Sequence, residues 1–133
     1  MKANFLRLVA AAAIAGAASG AAPTSVAGGR WGGPHVLIEV SGSGASIQFD
    51  CAHGSISGPI RLDSDGRFDV AGDYAPEHGG PIRVGEGEKR RPARYSGRLI
   101  GRTMTLSVVL GDDETIGPFT VEHGREGRIV RCR

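Results

Sequence analysis

Apolar and polar residues alternate with a period of two through most of this chain. The longest instance spans residues 94–110, where Tyr95, Gly97 and Leu99 alternate with Arg94, Ser96 and Arg98. Past Ile100, Gly101 and Arg102, Met104, Leu106, Val108 and Leu110 alternate with Thr103, Thr105, Ser107 and Val109. Period two marks half-buried strands, so this stretch predicts an antiparallel hairpin. Shorter runs with the same rhythm predict strands over 36–40, 45–51, 55–62 and 67–74, a strand that turns Phe119 and Val121 inward, and a last short strand over 127–132. Pro59 marks an edge or a bulge in the third of these. The intervening segments 41–44, His53-Gly54, 63–66, 111–114 and 123–127 are turns by composition. Eight strands joined by short connections predict an all-β fold, an antiparallel up-and-down meander forming a small barrel, closed or flattened. An interior of that size is nearly filled by side chains or holds one small ligand. The rhythm breaks over 75–92, a long loop rich in proline, glycine and charge, with a minor strand expected at 82–84.

The first residues follow another pattern. Lys2 and Arg7 precede an apolar, alanine-rich run over 8–18, and small residues follow it. That order is the signature of a secretory signal peptide. The apolar run is about half the ~20 residues needed to span a bilayer, so no retained membrane anchor is expected. Cleavage fits after Ala22 or after Ala27. Pro23 weighs against the first, and residues 1–27 are taken as the leader, with a single domain over 28–133. The expected location is periplasmic or extracellular.

Removing the leader changes the charge. The chain has 16 basic and 14 acidic residues, and Lys2 and Arg7 leave with the leader, so the exported part is neutral. A neutral chain lacks the broad positive footprint of a nucleic-acid binder, and no nucleic-acid partner is expected. The one local basic run is Lys89, Arg90 and Arg91.

Cys51 and Cys132 are the only cysteines, and an exported context favours a disulfide between them. They end strands that run toward the same end of the meander. In a closed barrel, however, strands two and eight flank strand one, too far apart for the ~7 Å limit on bridged Cα atoms. Either the C-terminal tail folds over, or the barrel is flattened or open.

Strand parity gathers Trp31, His35, His53, His78, Lys89, Arg90 and Arg91 at one end, with the long loop and both termini. These residues form the candidate binding end. His53, His78 and His123 each precede a glycine, and Glu77 could add an oxygen ligand, but no pair has metal-ligand spacing. Turn chemistry explains them, and neither a metal nor a cofactor is expected. No nucleophile elbow, His-Glu-x-x-His or phosphate loop occurs, so a non-enzymatic protein is expected.

Gly29-Arg30-Trp31 resembles the Gly-x-Trp signature of the lipocalins. That resemblance implies a tryptophan closing the barrel floor under an arginine of the last strand, here Arg128 or Arg131. The segments FDCAHG (49–54), PEHGGP (76–81), ARYSG (93–97) and TMTL (103–106) resemble small secreted bacterial proteins of unknown function, which brings no activity with it. Phe49-Asp50-Cys51 and Arg131-Cys132-Arg133 resemble the ends of the MliC-type periplasmic lysozyme inhibitors, whose inhibitory loop Arg94-Tyr95-Ser96-Gly97 only echoes. The expectation is a monomeric lipocalin-like binding module, engaging a small apolar molecule or a surface through the Trp31–His53–His78 end. The alternative is a protein–protein module that inhibits a hydrolase and uses the 75–92 loop as a wedge.

Overall fold

The computed structural model describes residues 23–78, 80 and 89–132, so residues 1–22, the expected strand at 82–84 and most of the 75–92 loop lie outside the described residues. The strands are β1 (Gly29–Gly33), β2 (Val36–Ser41), β3 (Gly44–Phe49), β4 (Ala52–Ser57), β5 (Arg67–Pro76), β6 (Arg91–Ile100), β7 (Thr103–Leu110) and β8 (Glu114–His123). Each pairs antiparallel with the next, and β8 returns to β1, closing an eight-stranded meander barrel.

Alternation decides which face each side chain takes. In β2, Val36, Ile38 and Val40 are buried while Glu39 is exposed; in β7, Met104, Leu106, Val108 and Leu110 are buried while Thr103 and Thr105 are exposed. Closure is uneven. β5 and β6 pair from Arg67 with Arg98 through to Tyr74 with Arg91, whereas β1 meets β8 only at Trp31 with His123 and Gly32 with Glu122.

The strand count matches the expectation, but the membership does not. Residues 29–33, which lie ahead of the first expected strand, form β1, paired with β2 from Gly29–Val40 to Gly33–Val36. Residues 127–132 form no strand. They belong to a tail that leaves β8 at Gly124 and runs back along the outside of β1, in a parallel bridge between Pro34 and Arg128. His35 N donates to Arg128 O at 2.8 Å, and Arg128 N to Gly33 O at 3.0 Å. The backbones can approach this closely because glycines face each other. A Cβ on Gly32 would collide with Arg125 and Glu126, and one on Gly127 would lie 2.6 Å from Leu37 Cβ. The tail ends in a disulfide between Cys132 and Cys51, with a Cα–Cα distance of 5.0 Å. Folding over, rather than flattening, is how a closed barrel accommodates that bridge.

His53-Gly54 is likewise not a turn. Both residues lie inside β4, and the chain reverses one step earlier at Asp50 and Cys51, where Cys51 takes a φ of 56°. Gly54 is needed for space, because a Cβ there would collide with the Tyr95 hydroxyl and lie 2.5 Å from Asp73 O. The strand expected over 55–62 therefore starts and stops earlier. Beyond Pro59, residues 60–62 instead pair with 24–26.

Candidate functional site

Inside the barrel, space is taken by side chains. Tyr95 is fully buried (0 % exposed), its ring lies over Gly72, and its hydroxyl donates to Asp73 O at 2.6 Å. Burial, and then the Asp73 carboxylate, push the Tyr95 hydroxyl well above the usual phenol range. Phe49 packs against Tyr74 and Phe119, with ring centroids 5.5 and 5.3 Å apart. Among the described residues no polar or charged residue is buried, so the interior offers an apolar filling and no orienting group.

Odd-to-even connections place His35, Asp50, Cys51, residues 77–78 and 89–90, and 111–113 at one end of the barrel. His35, held at a φ of 69°, pairs its Nδ1 with an Asp50 carboxylate oxygen. The other Asp50 oxygen accepts from Val130 N at 2.6 Å, which ties the tail to the same turn. His53 Nδ1 lies 2.8 Å from Glu77, and Glu77 N donates to Cys51 O at 2.8 Å. Two histidine–carboxylate pairs thus flank the disulfide. Among the described residues no group of three or more His, Cys, Asp or Glu could hold a metal.

The candidate binding end is only partly assembled. His35, His53, His78, Lys89, Arg90 and Arg91 do lie at this end. Trp31 does not. It is buried (2 % exposed) toward the opposite end, stacked on His123 at 4.6 Å, with its indole N–H donating to Ala27 O at 2.9 Å. The ring against it is His123 and not Arg128 or Arg131, because the expected last strand is instead the outer tail. The amino terminus also enters at that opposite end. Nor is the basic run free: Arg90 reaches Asp73 at 2.8 Å and Arg91 reaches Glu114 at 3.0 Å.

Uncommitted positive charge lies at the other end. There the connection 58–66 stands against the start of β5 and the end of β6, and an open groove of about 790 Å³ runs between them. Arg61, Arg67 and Arg98 line it together with Leu62, Phe68, Asp63 and Asp69. No hydrogen bond or ion pair engages the Arg61 or Arg67 side chain among the described residues. Arg98 spends only its Nε–H, on Asp65 O at 3.1 Å. Both acids are occupied: Asp69 accepts from Arg94 Nε at 2.9 Å, and Asp63 accepts from the N–H groups of Asp65 and Arg67 at 2.8 and 2.9 Å. Those two backbone donors hold the Asp63 carboxyl below its ordinary range. The groove's available charge is therefore positive. Its arginines are spread over the sequence: Arg67 and Arg98 are register partners on outward positions of β5 and β6, and Arg61 comes from the 58–66 connection, whose fold no local pattern signals.

No family model matches the chain, and no curated protein or solved structure matches it either. No helix among the described residues is long and apolar enough to cross a membrane.

Proposed function

We propose that the chain is an exported, non-enzymatic binding module that engages an acidic protein surface through the arginine groove. The observation that carries this reading is the filled barrel. Tyr95 occupies the space that Gly54 and Gly72 leave, so the interior favours a packed core over a ligand chamber, unlike a lipocalin-type carrier. Recognition then falls to the outer surface, where Arg61 and Arg67 supply planar donors suited to carboxylates. The disulfide between Cys51 and Cys132 fits an oxidising, exported setting. The hydrolase-inhibitor reading becomes one form of this proposal, with the groove rather than the 75–92 loop as contact surface.

The test uses poly-glutamate as probe, followed by fluorescence anisotropy at low and raised salt, alongside an uncharged apolar fluorophore such as Nile red. The expected result is salt-sensitive binding of the polypeptide that weakens about tenfold or more in Arg61→Glu/Arg67→Glu, a loss of ~1.4 kcal/mol or more, with no uptake of the fluorophore by the folded protein. Equal binding by the variant, or none by the wild type, would sink the groove. Stoichiometric uptake of the fluorophore would restore the interior-ligand reading.

A further inference from the structure

The four residues ahead of Gly28 belong to the folded domain. Val26 N donates to Ile60 O and Leu62 N to Thr24 O, each at 3.0 Å, around an antiparallel bridge between Ser25 and Arg61. Val26 (6 % exposed) and Ile60 (3 % exposed) both join the apolar core. Ala27 O accepts the indole N–H of Trp31. Residues 24–27 thus form an arm that holds 60–62 against the barrel, and Arg61 and Leu62 of that segment line the arginine groove.

We infer that the leader is removed ahead of Thr24, and that the exported protein keeps residues 24–27 as a structural arm. A signal peptidase asks for small residues at the last and third-last positions of the leader. Ser25 and Ala27 satisfy that pattern, but a cut there discards the arm. It would uncover Ile60, remove the acceptor of the Trp31 indole, and leave Leu62 N without its partner. Ser19 and Ala21 satisfy the same pattern. Water added across the Ala21–Ala22 peptide bond leaves a carboxylate on Ala21 and a free amine on Ala22. It also moves Pro23 away from the scissile bond, where a residue without an N–H stands after Ala22. Because the peptidase meets the chain before it folds, burial does not shield the bond after Ala27. What separates the two cuts is the product: only the upstream one yields a chain that can complete the fold. This inference rests on the leader expectation and is independent of the binding proposal.

Intact mass and amino-terminal sequencing of the protein recovered after export in a bacterial host give the answer directly. A first residue at Thr24 or upstream of it, with Met1 gone, is the expected result, and Ala22 is the expected residue. A first residue beyond Thr24, or a chain that still begins at Met1, overturns the inference. Two chains made to begin at Thr24 and at Gly28 provide a second reading. The shorter is expected to melt several degrees lower and to regain nothing when salt is raised. Coincident melts would show that the arm contributes nothing to the fold and would equally overturn it.

Discussion

At the end where β1 turns into β2 and β3 into β4, a disulfide, two histidine–carboxylate pairs and two arginine–carboxylate pairs tie the connections to one another. At the other end, 58–66 is held by backbone pairing to the amino-terminal arm and by the Asp63 turn, and the Arg61 and Arg67 side chains make no hydrogen bond among the described residues. One end spends its charge on itself, while the other keeps its charge available. Sequence density of charge is therefore a poor guide to where a neutral protein can attract a partner. Arg90 and Arg91 of the one basic run are quenched on folding by acidic strand residues, whereas Arg61 and Arg67, on separate elements, make no side-chain hydrogen bond among the described residues.

The largest effect that can separate the two ends comes from the disulfide. Replacing Cys51 and Cys132 with serine is expected to cost roughly 2–5 kcal/mol in denaturant unfolding, since the bridge spans a separation of 81 residues. Poly-glutamate affinity should stay unchanged at temperatures where the variant is folded; a parallel loss of affinity would mean the ends are not independent. Glycines give a smaller contrast. Gly54→Ala forces a Cβ against Tyr95 and Asp73 and should cost about 1–3 kcal/mol, whereas Gly42→Ala, with open space around it, should stay within about 0.5 kcal/mol.

The core and the Asp63 turn should also fail at opposite extremes of pH. Tyr95 has a raised folded pKa, so its stabilisation is complete below the ordinary phenol pKa of 10.0 and is lost as pH rises above it. Absorbance at the tyrosinate band should show Tyr95 ionising only together with unfolding. Asp63 has a lowered folded pKa, so its stabilisation is present above the ordinary 3.8 and is lost as pH falls below it. Asp63→Asn should flatten the acid limb of stability against pH and leave the alkaline limb in place. The smallest effect belongs to the exposed Arg91–Glu114 pair. Arg91→Ala should cost no more than about 1 kcal/mol and leave poly-glutamate binding as it was.

The hairpin over 94–110 and the strand at 36–40 are legible directly, because inward β-branched and aliphatic residues alternate there with polar ones over enough length to fix the face. β1 escapes notice because Gly32 and Gly33 lack side chains; they are buried under the tail and against Thr120, and no apolar signal records that. The tail misleads in the opposite sense. Ile129 and Val130 imitate a strand, yet Val130 is 60 % exposed: the tail lies outside the barrel, where Arg128 bonds Gly33 and His35 and Val130 N donates to the Asp50 carboxylate. His53-Gly54 looks like a turn because glycine is the usual residue of turns, and nothing local reveals that Tyr95 lies opposite. Of the candidate residues, those on the 35, 53, 78 and 89–91 positions share an end as strand parity requires. The arginine groove was hidden, because Arg61, Arg67 and Arg98 each look like ordinary outward residues.

The short junction between β1 and β8 is where the cylinder can be unzipped. The tail lies across β1 beside that junction, and its far end is fastened by a covalent bond to the β3–β4 turn. Reduction would leave the tail held to β1 and to Asp50 by hydrogen bonds alone. Were the tail then to lift, the short β1–β8 junction at Trp31–His123 and Gly32–Glu122 would lie uncovered. Unpaired margins invite pairing with another molecule. The expected consequence is that reduction raises the tendency of copies to associate, which light scattering of the reduced against the oxidised protein would read.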